Sequence, residues 1–233
     1  ADGRLNVHFA VGGLQQRTLH ERGVEAEKVV LAPNGVDASI RFSPERWAGR
    51  RGQLRAALDF ADDDYVFAYI ARLSPEKRPD RFVLAMSMLG RMFPDRSIRG
   101  LIAGDGPERL NVERSIRDEG LRGDIRTLGF TERIPETLAA SDCFVLTSEI
   151  EGSPLTLLEA MSMGLPCVST HVGAVAEVVR HDRNGLLVRG GEAGAIADAC
   201  ARLLAEPELG PRLGAAAREL ILAEHDLGST IRI

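Results

Sequence analysis

The sequence predicts a doubly wound α/β fold with a mostly parallel sheet, and three observations indicate it. Short apolar segments alternate with helical patterns along the whole chain. The apolar segments lack polar alternation, which is typical of strands that are covered on both faces. Turn residues such as Gly164-Leu165-Pro166 separate each helix from the next strand. Strand–helix–strand alternation of this kind builds parallel sheets.

The predicted elements follow one another in order. Pro79 suits the first position of a helix, because the N–H that it lacks would have no partner there. We predict strands at 28–32, 65–71, 99–103, 125–128, 142–147 and 166–170, with a weaker one at 185–188. We predict helices at 13–22, 50–59, 79–92, 107–119, 131–140, 154–163, 174–180, 192–205 and 209–223.

The composition excludes several classes of protein. Hydrophobic residues make up 44% and charged residues 27%, as in an ordinary globular domain, and the net charge of −5 gives no basic surface for nucleic acid. The sequence has no apolar run long enough to span a membrane and no signal peptide. Its three cysteines lack metal-ligand spacing, and the two in apolar strands, Cys143 and Cys167, are expected to be small buried residues of a reducing compartment.

The most informative segment runs from Glu149 to Met161 and follows an apolar strand. We predict Ser153 as the N-cap and Pro154 as the first residue of a helix. Glu151 then lies in the preceding loop and Glu159 about 7–8 Å along the helix axis. The free N–H groups between them predict an anion site, which suits a nucleoside diphosphate sugar. The alternative is that Thr156, Glu159 and Ser162, which recur every three residues, form the solvent-facing stripe of the helix and that Glu151 is an ordinary loop carboxylate.

Further candidate residues follow the strand at 65–71. Arg72 can offer a guanidinium fork to phosphate, and Lys77 is one of only two lysines in the chain. We interpret Arg72 and Lys77 as a clamp for a diphosphate. Lys77 and Arg78 precede a helix, where cations oppose the helix dipole, so the alternative is local neutralisation by Glu76 and Asp80.

Two other loops belong to the same predicted edge. The segment Ala103–Pro107 carries Gly104 and Gly106 but lacks the third glycine of a dinucleotide fingerprint, so we interpret it as a tight turn beneath the ligand. The segment Leu128–Pro135 offers backbone groups near a nucleobase, and Phe130 belongs either to that site or to the core. The sequence shows no Ser-His-Asp arrangement, metal cluster or phosphate-binding P-loop.

Taken together, these motifs resemble a known family over nearly the whole chain. Asn34-Gly35-Val36-Asp37, Arg72-Leu73 with Glu76-Lys77, Ala103–Pro107 and Glu151…Glu159 are similar to signatures of retaining glycosyltransferases. The chain resembles the C-terminal, donor-binding domain of the GT-B architecture, in family 4, also described as glycosyl transferases group 1. The resemblance implies a remnant of the N-terminal acceptor domain and linker at 1–25, followed by a Rossmann-like nucleotide-sugar-binding domain at 26–233.

The resemblance also implies residue roles. Glu151 would contact the hydroxyls of the donor sugar, and Glu159 would contact the ribose. Arg72 and Lys77 would stabilise the diphosphate leaving group, with no cofactor and no metal, so that Glu151, Arg72 and Lys77 form the catalytic set. The candidate substrate-binding residues are Arg72, Lys77, Gly104, Arg133, Ile134, Glu151, Gly152, Ser153, Pro154, Leu155 and Glu159.

The implied activity is transfer of a hexose from a UDP- or GDP-sugar to a saccharide or lipid-linked acceptor. The Gly152-Ser153-Pro154 variant of the motif is associated with bacterial polysaccharide-type transferases. The 233-residue chain is expected to be inactive alone, because such sites form between two domains. The expected location is the cytoplasm, including the cytoplasmic face of the inner membrane, where the parent protein would associate peripherally. The alternatives are a sugar-nucleotide epimerase of the same architecture and a non-catalytic nucleotide-sugar-binding module.

Overall fold

A computed structural model describes residues 7–230 and contains one main sheet and one small sheet. The main sheet is parallel throughout and has the spatial order β5-β4-β3-β6-β7-β8. Its strands are β3 (Tyr65–Ile70), β4 (Ile98–Ala103), β5 (Ile125–Thr127), β6 (Cys143–Leu146), β7 (Cys167–Thr170) and β8 (Leu186–Val188). The predicted α/β class and each predicted strand of this sheet are therefore confirmed.

Helices cover both faces of the main sheet. Phe67 and Tyr69 of β3 pack on one face, and Ala68 and Ile70 pack on the other, so the strand buries both of its sides. One face carries α4 (Pro79–Met92), α5 (Arg109–Asp118) and α9 (Ala193–Ala205). The other carries α3 (Arg51–Ala56), α6 (Ile134–Ala139), α7 (Leu155–Ser162), α8 (Val175–Val178) and most of α10 (Leu209–Glu224).

The sequence prediction missed a short helix and extended another too far. Helix α2 (Pro44–Ala48) was not predicted, because five residues are too few to show a helical period. Helix α3 ends at Ala56 rather than at residue 59, where Asp59 adopts a left-handed conformation with φ of 60°. A final helix, α11, spans Leu227–Thr230.

The leading residues form a separate unit beside the main sheet. Strands β1 (His8–Ala10) and β2 (Val29–Leu31) pair in parallel, and helix α1 (Gly13–Glu21) lies between them in the chain. Glu177 of α8 accepts hydrogen bonds from the backbone amides of Gly13 at 2.8 Å and Leu14 at 2.7 Å, so it caps α1 from the main domain. The boundary between residues 25 and 26 stays a prediction, and residues 1–6 and 231–233 lie outside the described residues.

The segment that joins the two units is held by the end of the chain. Val36 donates its amide to the carbonyl of His225 at 2.8 Å, and its carbonyl accepts from the amide of Leu227 at 3.0 Å. The amide of Ala38 donates to the carboxylate of Asp226 at 3.1 Å. These bonds form a parallel bridge between residues that are far apart in sequence.

The edge of the sheet where β3 and β6 begin is held together by a buried arginine. Arg55 is 2% exposed and donates to the carbonyls of Ala61, Asp62, Asp64 and Ala140 at 2.9–3.1 Å. Its guanidinium also bonds the carboxylate of Asp142, which in turn accepts the amide of Val66 at 2.8 Å. The cluster therefore joins α3 to the starts of both central strands.

The order of the strands has one consequence for binding. Strands β3 and β6 are neighbours in the middle of the sheet. The chain passes from β3 to β4 toward one lateral edge of the sheet and from β6 to β7 toward the other, so the two crossovers diverge. The loops that follow β3 and β6 then border an open crevice at the carboxyl edge, which is where sheets of this kind bind ligands.

We predict that Arg55→Met lowers the free energy of unfolding by about 3–5 kcal/mol, because methionine fills the space but provides no donor for the buried carbonyls and carboxylate. Urea unfolding measures this change. Arg122→Met is the matched control, since Arg122 is exposed, and its effect is expected to stay within about 0.5 kcal/mol. A similar small loss for both variants would mean that the cluster contributes little to stability.

Candidate functional site

The loops after β3 and β6 meet at the crevice. The amide of Glu149 donates to the carbonyl of Glu76 at 2.8 Å, which joins the two loops through their backbones. Lys77 ends a turn of 3₁₀-helix at Pro75–Lys77, directly before α4. Glu151 lies on the opposite loop, before α7. Residues from two separate strand ends are thereby brought to one point.

Glu151 is held by two side chains. Lys77 donates through Nζ to Oε2 of Glu151 at 2.7 Å, and Ser148 donates through Oγ to Oε1 at 2.6 Å. The side chain of Glu151 is only 5% exposed, whereas that of Lys77 is 24% exposed. A buried carboxylate needs such partners to remain charged. Glu151 and Lys77, two of the predicted site residues, thus form a direct ion pair.

Hydroxyl groups that were not singled out in the sequence fix the backbone around this pair. Thr147 donates through Oγ1 to the carbonyls of Lys77 at 3.0 Å and Arg78 at 2.7 Å. The hydroxyl of Tyr69 also donates to the carbonyl of Lys77, at 3.2 Å, and Thr170 donates to the carbonyl of Ser148 at 2.6 Å. The available sequence signal was the Thr147-Ser148 pair directly after an apolar strand.

Arg72 and Arg78 have different environments. Arg72 is exposed, and its guanidinium makes no hydrogen bond or ion pair to any residue between 7 and 230; its backbone carbonyl accepts the amide of Ser74 at 3.0 Å. Arg78 instead bonds Asp80 at 2.7 and 2.9 Å and also the carboxylate of Glu149, and these partners raise the pKa of its guanidinium. Local neutralisation of Arg78 therefore involves Asp80, as the alternative predicted, but its second partner is Glu149 and not Glu76, which accepts from Ser74 instead. The guanidinium of Arg72 is therefore left without a partner among residues 7–230.

A cavity of about 440 Å³ opens beside Arg72. Gly104 and Ile134, two of the predicted binding residues, line it together with Thr156 of α7. Phe130 also lines this cavity and is 76% exposed, so it belongs to the surface of the crevice rather than to the core. Arg133 is not part of this lining, and its exposed guanidinium lies 3.4 Å from the carboxylate of Glu136.

Helix α7 begins one residue later than predicted. Pro154 is the N-cap, with an extended ψ of 113°, and Leu155 is the first helical residue. The predicted Ser153 cap is wrong, because the helix has no side-chain cap and the carbonyl of Pro154 accepts the amides of Leu157 and Leu158. The amides of Leu155 and Thr156 accordingly have no partner within the described residues. The free amides on which the predicted anion site rests are therefore those of Leu155 and Thr156, and the anion site itself stays a prediction.

Glu159 is the fifth residue of α7 and is partly buried. Burial raises the pKa of its carboxyl group, while the charge of Arg41 acts in the opposite direction. The alternative of a solvent-facing stripe is wrong, because Ser162 on the same stripe is fully buried and donates to the carbonyl of Phe42 at 3.0 Å. Thr156, one turn earlier, lines the cavity.

Two glycines allow backbone segments to approach closely around the site. Gly104 has φ of 142°, and a Cβ there would overlap the carbonyl oxygen of Ala71. Gly173, with φ of 52°, packs in the same way against the carbonyl oxygen of Glu151. The first contact agrees with the interpretation of Ala103–Pro107 as a tight turn. The second shows that the loop after β7 supports the backbone of Glu151.

Residues 7–230 contain neither a cluster of metal-ligating side chains nor a helix suited to a membrane. No group of three or more His, Cys, Asp or Glu side chains in that range is arranged to hold a metal ion. None of the helices in the range combines the length and the apolar character needed to cross a membrane. The independence of the site from metal ions and cofactors stays a prediction.

The chain is similar in sequence to one protein family and to individual proteins of known name. The sequence model of the family described as glycosyl transferases group 1 matches residues 50–220. The chain is 29% identical to the N-acetyl-alpha-D-glucosaminyl L-malate synthase of Bacillus anthracis, over 84% of this chain and 51% of that protein. It is 33% identical to a UDP-Gal:alpha-D-GlcNAc-diphosphoundecaprenol alpha-1,3-galactosyltransferase of Escherichia coli, over 73% of this chain and 43% of that protein.

A solved structure has the same fold. The Anabaena HepE protein in complex with UDP-glucose superposes with a TM-score of 0.86 at 24% identity, and the match covers 97% of this chain and 61% of that one. The chain spans about half the length of the curated relatives that it matches.

We predict that Gly173→Ala destabilises the protein by more than about 3 kcal/mol, because the backbone at Glu151 must move to admit a Cβ. Gly120→Ala is the matched control: Gly120 also has a positive φ, of 75°, but has open space around it, so only the left-handed strain of about 1–2 kcal/mol is expected. Urea unfolding compares the two variants. Equal losses would contradict a tight contact at Glu151.

We also predict a pH dependence from Glu159. Between its ordinary pKa of 4.5 and the raised pKa of the folded state, the native protein binds more protons than the unfolded chain. The contribution of this group to stability therefore falls as the pH rises through that window. Relative to wild type, Glu159→Gln should become more stable as the pH increases from about 4 to about 7.

Urea unfolding at a series of pH values checks this expectation. Glu219→Gln, at an exposed position of α10, is the control and should show a flat difference from wild type. The opposite trend for Glu159→Gln would mean that Arg41 outweighs burial in setting the pKa of Glu159.

Proposed function

The chain belongs to the glycosyl transferases group 1 family, and on this basis we propose that it is the donor-binding domain of a retaining glycosyltransferase. The observation that carries the proposal is the Lys77–Glu151 ion pair between the loops after β3 and β6, together with a cavity that Arg72 lines with Thr156 of α7. In the proposed complex this region binds a nucleoside diphosphate sugar. The parent protein transfers the sugar to a saccharide or lipid-linked acceptor.

The charges around the crevice support binding of a diphosphate. Arg72 has a guanidinium with no protein partner in the described range, and Lys77 carries a second positive charge close by. The unpaired amides of Leu155 and Thr156 add donors at the positive end of a helix dipole. A diphosphate oxygen accepts hydrogen bonds from all three kinds of donor. We propose that the positive charges of Arg72 and Lys77 take the place of a metal ion.

The two carboxylates support recognition at the two ends of the diphosphate. Glu151 is fixed by Ser148 and Lys77, and its remaining lone pairs can accept hydrogen bonds from hydroxyls of the donor sugar. Glu159 lies farther along α7, where it can accept from the ribose hydroxyls. The cavity beside Phe130 and Ile134 provides an apolar surface for the base.

The proposed chemistry follows from these contacts. Negative charge develops on the diphosphate as the bond to the sugar breaks, and Arg72 and Lys77 stabilise that charge. Glu151 orients the sugar, while the acceptor hydroxyl attacks from the face that the leaving group departs from and gives its proton to the departing phosphate oxygen. The relatives support this proposal, since one is named as a UDP-Gal-dependent transferase and the structural neighbour contains UDP-glucose. We propose a UDP- or GDP-hexose as the donor and the cytoplasmic side of the membrane as the location.

We predict that Glu159→Gln and Glu151→Gln affect different ligands in calorimetric titrations with UDP, GDP, ADP and their sugar conjugates. Glu159→Gln should weaken binding of the nucleotide itself by about 10–100-fold, as expected for loss of a hydrogen bond to a charged group. Glu151→Gln should reduce affinity mainly for the sugar conjugate, by a similar factor, because its partner is the sugar.

The control is Glu219→Gln, which removes an exposed carboxylate from α10 and should leave both affinities unchanged. Equal losses for nucleotide and conjugate in both variants would contradict the proposed division of roles. Absence of binding of any of these ligands to the wild-type chain would contradict the proposed function itself.

A further inference from the structure

The segment that joins the small unit to the main domain also contacts the proposed donor site. Asn34 donates through Nδ2 to the carbonyl of Ser153 at 2.9 Å, across 119 positions of sequence. Ser153 belongs to the Gly152–Pro154 loop, which leads directly into α7. A side chain of the linker therefore bonds the backbone that precedes the proposed diphosphate site.

Few other contacts hold this loop. Gly152 is exposed, and its α-carbon has open space around it. Pro154 has no N–H, and α7 has no side-chain cap. Within residues 7–230, the Asn34 amide makes the only hydrogen bond to Gly152 or Ser153. The position of the loop thus depends strongly on Asn34.

Asn34 is itself held in place. The backbone carbonyl of Asn34 accepts a hydrogen bond from Nδ1 of His225 at 3.0 Å, and His225 is only 9% exposed. Two residues later, both backbone groups of Val36 are bonded to one C-terminal segment: its N–H donates to His225, and its C=O accepts from Leu227. The backbone of Asn34 is consequently fixed, so the hydrogen bond from its side-chain amide can hold the Gly152–Pro154 loop in place.

We propose that Asn34 is a positioning residue for donor binding: it holds the Gly152–Pro154 loop so that the free amides of Leu155 and Thr156 are directed at the diphosphate. This inference rests on the proposed function. It assigns a role to the Asn34-Gly35-Val36-Asp37 motif beyond that of a connection. Because the linker and the loop share this bond, a movement of the linker changes the start of α7.

The test uses Asn34→Asp and Asn34→Ala, with Asn111→Asp and Asn111→Ala as controls. Aspartate keeps the size of asparagine but cannot donate, and Asn111 makes its bond to Glu108 on the exposed surface of α5. Both Asn34 variants should lose about fivefold in affinity for UDP or GDP, as expected for one neutral hydrogen bond. Their affinity for uridine or guanosine, which lack phosphate, should stay within about twofold of wild type.

A second measurement does not require a ligand. The amides of Leu157 and Leu158 donate to the carbonyl of Pro154, so their hydrogen exchange reports on the loop. Exchange at both amides should be faster in Asn34→Ala than in wild type and unchanged in Asn111→Ala.

The outcomes separate the two proposals. Unchanged exchange, or equal losses for nucleotide and nucleoside, would overturn the role of Asn34 while leaving the donor site intact. If the wild-type chain binds none of the nucleotides, the proposed function fails, and the role of Asn34 in donor binding fails with it. In that case the exchange data still decide whether Asn34 holds the loop.

Discussion

The site depends on the strand order of the main sheet, in which the chain leaves the neighbouring strands β3 and β6 in opposite directions. These strands are neighbours, yet their crossovers lead to opposite sides of the sheet, so neither connection covers the space between the two strand ends. Only this pair of strands borders such a crevice, because every other neighbouring pair of the main sheet is joined by a crossover on a single side. The Lys77–Glu151 ion pair spans the gap and joins its two walls.

That ion pair also couples the two halves of the proposed ligand. Burial of Glu151 is tolerated because Lys77 and Ser148 provide partners for its oxygens. A diphosphate that attracts Lys77 would weaken the first of these partners. Sugar hydroxyls can then donate to the oxygen that Lys77 has left. In the proposed complex, recognition of phosphate and recognition of sugar are therefore linked through one carboxylate.

Much of the fold could be predicted from the sequence, because the strands are continuous apolar segments and leave few alternatives. The contacts within the site were harder to predict. The Thr147 hydroxyl acquires its role only when β6 lies beside β3, and the Ser148 hydroxyl only when the loop after β6 folds back on itself. The bond between Asn34 and Ser153 depends on how the linker crosses the domain. The predicted cap at Ser153 was wrong because its carbonyl is used by Asn34 and the helix starts after Pro154.

The Arg55 cluster and the proposed donor site lie at opposite edges of the same sheet. Residues that secure the central strands are therefore separate from residues that would contact a ligand. Substitutions in the loops after β3, β6 and β7 can alter ligand preference without disturbing the buried guanidinium and its carbonyl partners. Such a separation makes the scaffold evolvable, and it suits the exchange of whole loops between relatives that use different sugars.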